Sequence, residues 1–256
     1  MSSPNVTLEV RDHIALVALN RPPVNALNAE TRAEMIAIFD QINDRDDIRV
    51  AVLTGQGDTF CAGADLKDRP SADTPGDFGR HNRIVRETSN SIRECAKPVI
   101  AAVNGAALGA GLGLAAACDI IFASENAVFG MPEINVGLAG GVSTLVKLFG
   151  RSRTRRMFYT GMRVPAAEMY RLGAVEACVP REQLLDEAMA VASEIAGKSP
   201  IAIRYAKNAA NMVELMPLRD AYRFEQNFTV ELSRTEDAKE ARRAFLEKRP
   251  PVFQGR

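Results

Sequence analysis

The order of apolar runs predicts an α/β fold with a helical C-terminal part. Val50-Ala51-Val52-Leu53 and Val99-Ile100-Ala101-Ala102-Val103 are continuously apolar, as strands are in a sheet covered on both faces. Strand, turn and helix patterns then alternate along the first part of the chain, which is the signature of an α/β core. After about Arg151 the pattern changes and helices dominate.

Each element has its own warrant. Val6–Val10 and Ile14–Leu19 flank Arg11-Asp12-His13, a hairpin arrangement. Asn28 is placed to cap a helix whose apolar positions are Met35, Ile36, Ile38, Phe39 and Ile42. Val50–Gly55 follows as a buried strand. Asp68–Gly79 is rich in Pro, Gly and Asp and reads as a mobile loop. A helix carrying Ile84, Val85 and Ile92 comes next, and Pro98 ends it before the strand Val99–Val103. A glycine-rich turn leads into a helix over Leu112–Cys118 and a strand over Asp119–Ala123. Helices are then expected over Arg151–Gly161, Ala166–Arg171, Glu182–Ala196, Pro200–Met212, Leu218–Ser233 and Thr235–Lys248. No low-complexity linker and no short-period repeat interrupts the chain.

Bulk properties remove several function classes. With 256 residues the chain can bury a sizeable core. It has 32 basic and 32 acidic residues, so no global charge draws it to nucleic acid or to an anionic membrane. The basic stretch Arg151–Arg156 reads as a solvated helix face. Cys61, Cys95, Cys118 and Cys178 are widely spaced, which fits a reducing compartment and neither disulfides nor a thiolate zinc site. The two histidines, His13 and His81, poorly support a metal site or a Ser-His-Asp triad, and His81 reads as a surface helix residue. Met1–Val6 lacks the features of a secretory or transit segment. The apolar region Val99–Ala123 is broken by Asn104, glycines and Asp119, unlike a membrane span. A cytoplasmic protein without metal or bound cofactor is the expectation.

Two segments carry the chemistry. Phe60-Cys61-Ala62-Gly63-Ala64-Asp65-Leu66 and Asn104-Gly105-Ala106-Ala107-Leu108-Gly109-Ala110-Gly111-Leu112-Gly113 both follow strand-like runs and keep their side chains small. Small residues let main-chain N–H groups approach a ligand. Side by side, two such turns form an oxyanion hole, a donor pair aimed at a carbonyl oxygen that gains charge during reaction. The pattern implies an enzyme acting on an activated carbonyl compound.

These segments resemble the enoyl-CoA hydratase/isomerase, or crotonase, family. Ile100–Gly105 through Cys118-Asp119-Ile120 is similar to its signature region, and Phe60–Leu66 to its first oxyanion turn. Arg21–Asn28 is similar to its nucleotide-contacting turn, Phe129–Ile134 to its catalytic-acid segment, and Phe245–Arg249 to its closing helix. The likeness runs in order over essentially the whole chain. It implies a spiral of ββα units over residues 1–195 and a helical trimerisation region over 196–256. It also implies assembly as a homotrimer or homohexamer, an acyl-coenzyme A thioester as substrate, and a place in fatty acid metabolism of the β-oxidation kind. Coenzyme A would enter as part of the substrate. By position, the N–H groups of Ala64 and Ala110 would hold the thioester oxygen, Ala110 standing where the family usually has glycine. Ala26, Ala62 and Leu66 would line the adenine pocket, and Gly109 would also contact the substrate or its coenzyme A. Lys67 would meet a phosphate, and Phe245 and Lys248 would reach coenzyme A, in a neighbouring subunit for instance. Glu133 would be the catalytic carboxylate.

One departure matters. Hydratases of the family carry a second glutamate at the position of Gly113, and glycine can neither hold a water nor donate a proton. Hydration with the single glutamate Glu133 is the first reading, and isomerisation of a 3-enoyl to a 2-enoyl thioester the second. A third is hydratase-lyase chemistry on an aryl-propenoyl thioester, with Tyr222 as an accessory tyrosine. The loss at Gly113 also leaves open a non-catalytic coenzyme A-binding protein. A dinucleotide enzyme is disfavoured, because Gly109–Gly113 reads G-x-G-x-G and Glu133 follows Met131-Pro132 rather than a strand end.

Overall fold

A computed structural model describes residues 4–71 and 73–256. Strands β1 (Val6–Arg11) and β2 (Ile14–Leu19) form the expected antiparallel hairpin. Helix α1 (Ala29–Asp44) starts at Asn28, whose side chain accepts from Thr31 N–H at 2.9 Å. Next come β3 (Val50–Gly55), α2 (Asp77–Arg93) and β4 (Val99–Val103). The glycine-rich segment contains a two-residue strand, β5 (Ala107–Leu108), before α3 (Ala110–Ala117). After β6 (Ile120–Ser124) and β7 (Val128–Gly130), a 3-10 turn over Pro132–Val136 leads to α4 (Val142–Leu148) and α5 (Arg151–Thr160). Then follow β8 (Arg163–Pro165), α6 (Ala166–Arg171), β9 (Ala177–Val179), α7 (Leu184–Ala196), α8 (Pro200–Val213), α9 (Leu218–Leu232) and α10 (Glu236–Glu247).

The main sheet has the order β1-β2-β3-β4-β6-β9, with every pair parallel from β2 onward. Strands β2, β3, β4 and β6 are largely buried on both faces, as their unbroken apolar character requires, and the edge strands β1 and β9 are less covered. Val50, Val52, Ile100, Ala102 and Phe122 pack on Leu184, Ala188, Ala192 and Ala196, a stripe of fourth residues along α7. The alternate positions Ala51, Leu53, Val99, Ala101 and Val103 join Met35, Phe39, Ile42, Ile92 and Leu112 on the other side. Each large side chain sealed there contributes about 1.5–3 kcal/mol. Strands β5, β7 and β8 form a separate small sheet.

The C-terminal helices attach through polar anchors. Lys207 of α8 is buried and pairs with Asp119 at 2.9 Å while donating to the Ile92 and Lys97 carbonyls at 3.2 and 3.0 Å. Helix α9 rests on α8 through Tyr205, Phe224 and Phe228, whose rings meet edge to face. The chain end returns to α10, where Asp237 accepts from Ser199 Oγ at 2.7 Å, Gln254 N–H at 2.8 Å and Gly255 N–H at 3.0 Å.

Several boundaries differ from the sequence reading. The expected loop Asp68–Gly79 is shorter, because Asp77, Phe78 and Gly79 already belong to α2; Asp77 in the first turn complements the helix dipole. Position 72 of that loop lies outside the described residues. Helix α3 begins at Ala110 instead of Leu112, since Gly109 makes the turn into it. His81 lies on α2 as expected and is half-buried there. Strands β5, β7, β8 and β9 and helix α4 were not expected: two or three residues of strand carry no period. Among the described residues, no helix is long and apolar enough to cross a membrane.

Candidate active site

Both small-residue turns leave the carboxyl ends of neighbouring parallel strands, β3 and β4, where open α/β sheets form ligand crevices. Asn104 ties them together. Its side chain accepts from Gly55 N–H at 3.2 Å and donates to the Gly57 carbonyl at 2.9 Å. Main-chain bonds then run between the turns, Cys61 N–H to Ala106 O and Leu108 N–H to Cys61 O, both at 3.0 Å. Gly63 has φ +109°, and a Cβ there would stand 2.9 Å from Leu108 O and 3.7 Å from Ala110 N. The two turns therefore meet at Gly63, Leu108 and Ala110, and only glycine fits the contact.

Ala64 and Ala110 lie at this junction. Neither main-chain N–H has an acceptor among the described residues. For Ala110 that is the ordinary state of a first helical residue, whose N–H points out of the helix start. For Ala64 it is a consequence of pairing: Leu27 N–H bonds to Gly63 O at 2.8 Å and Asp65 N–H to Leu27 O at 3.0 Å, which leaves the amide between them free. Such unspent donors are what an oxyanion hole requires.

Glu133 completes the group. It sits in the 3-10 turn behind Pro132, at the first turn's proline position. A Cβ on Gly109, at φ +53°, would collide with Glu133 Oε1 and stand 3.2 Å from Cδ. The carboxyl group thus lies against the residue next to Ala110. Glu133 Oε2 is sealed from solvent without a hydrogen-bond partner. Burial pushes the carboxyl above its ordinary range, a bond to its own main chain pulling slightly the other way. Cys61, the nearest candidate nucleophile by sequence, is no rival: burial pushes its thiol up to about 11, so it packs as a neutral group.

The other sequence candidates divide into two sets. Ala26, Ala62, Leu66 and Lys67 gather around the first turn. Ala62 N–H bonds to Val24 O at 3.0 Å, Ala26 O accepts from Arg21 at 2.9 Å, and Leu66 and Lys67 are exposed on the outer side. Gly113 lies one helical turn beyond Gly109 on α3, with its N–H bonded to Gly109 O at 3.0 Å and no atom within 4 Å of a built Cβ. Tyr222, Phe245 and Lys248 are not brought to these groups. Tyr222 is exposed on α9 and faces a cavity lined by Val213, Met216, Leu218 and Arg219, which none of Ala64, Ala110 and Glu133 enters. Phe245 is 82% exposed on α10, and Lys248 ends that helix in the left-handed conformation.

The sequence reading put Arg21 and Asn25 in a nucleotide-contacting turn and did not foresee that they hold the first oxyanion turn. Arg21 pairs with Asp65 at 2.7 Å, and the Lys67 N–H together with Arg21 keeps Asp65 below the usual carboxylate range. Buried Asn25 donates to the Gln56 and Thr59 carbonyls at 3.0 and 2.7 Å. Their partners are tens of residues away in sequence, and no local pattern marks them.

Comparison with known proteins identifies the family. A family model described as enoyl-CoA hydratase/isomerase matches residues 9–256. The chain belongs to the enoyl-CoA hydratase/isomerase family. Relatives include the (E)-benzylidenesuccinyl-CoA hydratase of Thauera aromatica, 38% identical over 98% of this chain and 99% of that one. The short-chain-enoyl-CoA hydratase of Clostridium acetobutylicum is 36% identical over 96% and 95%. Among solved structures, an enoyl-CoA hydratase from Bacillus anthracis superposes with a TM-score of 0.92 at 36% identity, covering 98% of this chain and 100% of that one. The fold is thus the crotonase fold that the motifs implied.

Proposed function

We propose that this protein is an enoyl-CoA hydratase that adds water to a 2-enoyl thioester with one glutamate. The observation that carries the reading is the unpartnered, half-buried carboxylate of Glu133 beside Gly109, next to the free N–H of Ala110. The thioester oxygen accepts from Ala64 and Ala110 N–H. These donors strengthen as charge moves onto the oxygen in the enolate, and one of them is worth about 2.7–4 kcal/mol. Glu133 takes a proton from water as the oxygen bonds to the β-carbon, then returns a proton to the α-carbon. A carboxyl with a raised pKa suits both transfers near neutrality. Ala26, Ala62 and Leu66 contact the adenine, Lys67 a phosphate, and Phe245 and Lys248 the coenzyme A of a neighbouring subunit. That last role fits their exposure, and exposed Leu215, Leu218 and Leu246 fit a homotrimer or homohexamer.

Gly113 favours a second reading, 3-enoyl to 2-enoyl isomerisation. That reaction needs only one base, to remove the α-proton and return it to the γ-carbon. Hydratase-lyase chemistry on an aryl-propenoyl thioester is a third reading, in which Tyr222, facing another cavity within its own chain, would act across a subunit boundary. The deciding experiment presents 2-enoyl-, 3-enoyl- and aryl-propenoyl-CoA to the enzyme in deuterated water and follows mass. Hydration adds one water and carbon-bound label, and isomerisation exchanges label alone. Failure to turn over any of them, with coenzyme A still bound, would leave the non-catalytic reading standing.

A further inference from the structure

Three glycines stand at the start of α3, and two of them are required by contact. A Cβ on Gly109 would collide with Glu133 Oε1, and one on Gly111 with the Cys61 carbonyl. Gly113 has no such reason. It lies inside the helix, and a Cβ built there meets no atom within 4 Å among the described residues. Glycine in a helix interior is less favourable than alanine, so the fold itself gains nothing from this residue. What glycine leaves at position 113 is open space.

That space belongs to the proposed site. Gly113 N–H donates to Gly109 O at 3.0 Å, so Gly113 stands one turn, about 6 Å, along the axis from the residue that Glu133 touches. The sealed, unpartnered Oε2 of Glu133 is part of the same group. Helix α3 buries Gly111, Leu112, Leu114 and Ala115, and its half-buried arc is Ala110, Gly113, Ala116 and Ala117. Ala110, whose N–H is free, therefore shares one face of the helix with Gly113. The neighbourhood is apolar. Ile134 beside Glu133 is exposed, as are Val142 and Val146 of α4, a helix that packs on α3. In the reading above, the thioester oxygen sits at the start of α3 and the α- and β-carbons lie against Glu133. The β-carbon is one bond farther from that oxygen, so a group on it reaches along α3 towards Gly113.

We propose that the space over Gly113 receives a substituent on the β-carbon of the acyl group, making β-branched acyl-CoA thioesters the preferred ligands of this site. The proposal rests on the acyl-CoA reading above, but its test needs no turnover. Three saturated isomers with equal carbon number are titrated calorimetrically: pentanoyl-, 2-methylbutanoyl- and 3-methylbutanoyl-CoA. The 3-methyl isomer binds about threefold or more tighter than either of the others, the gain expected from one further buried methyl group. In Gly113→Val the order inverts, because the new side chain fills the space, and Gly113→Ala shrinks the preference. Wild-type protein that favours another isomer, or binds all three equally, overturns the proposal. So does a Gly113→Val variant that weakens the three alike or keeps the preference. Should Gly113→Val fail to fold, the wild-type comparison and Gly113→Ala, a substitution that favours helix, decide. Failure of hydration would appear only with unsaturated substrates; failure of all three thioesters to bind would sink the acyl-CoA reading and this proposal with it.

Discussion

Replacing Glu133 by glutamine separates the catalytic role of this residue from its structural one. The side chain keeps its shape and loses its charge. Oε2 has no partner and the carboxyl is pushed above its ordinary range by burial, so the charged form is held at a disadvantage. Because the folded-state pKa is raised, the disadvantage exists above that pKa and vanishes below the unfolded carboxylate range. A neutral amide removes it. Stability near pH 8 should therefore stay constant or rise by about 1 kcal/mol or less, with no gain near pH 4. Activity moves the other way: loss of a general acid–base group lowers kcat by ~10²–10⁴-fold. Urea unfolding at two pH values and steady-state kinetics read both effects. A variant with unchanged turnover, or one that loses activity only because it unfolds, refutes the assignment.

Three further outcomes follow from the same geometry. Gly113→Glu enters open space beside Gly109, so it should raise hydration of a 2-enoyl-CoA by about tenfold or more, and glutamate favours helix by up to ~1 kcal/mol over glycine; the hydration-to-isomerisation ratio by mass spectrometry reads the change. Gly109→Ala places a methyl group against Glu133 Oε1 at a positive φ, so it should destabilise by about 1–3 kcal/mol and lower kcat with it, seen by thermal unfolding and kinetics. Asp237→Ala removes three hydrogen bonds that hold the chain end, so amide exchange at Gln254 and Gly255 should accelerate and stability should fall by about 2–4 kcal/mol without a change in the Glu133 pH profile.

The legible parts of the sequence were those with a period or a fixed local chemistry. The unbroken runs at Val50 and Val99 identified buried parallel strands, and Asn28 marked the start of α1 because its side chain caps locally. The small residues around Ala64 and Ala110 gave away the two turns, since close main-chain contact leaves room for little else. What could not be read depends on distance in sequence. Arg21 and Asp65 meet across the fold, and Asn104 bridges to Gly55 and Gly57. The strands β5, β7 and β8 are too short for any periodic signal. Arg32 shares a helical stripe with Met35 and Phe39, and its burial emerges only once the fold is assembled. Tyr222 is marked by residue type alone, and within its own chain it lines a cavity apart from Glu133.

A crystal structure with a bound, slowly reacting enoyl-CoA analogue tests the central claim most directly. The thioester oxygen should lie about 2.7–3.2 Å from the nitrogens of both Ala64 and Ala110, with a Glu133 oxygen facing the α- and β-carbons. A thioester seated away from either amide, or a Glu133 carboxylate turned from the acyl chain, would contradict the account.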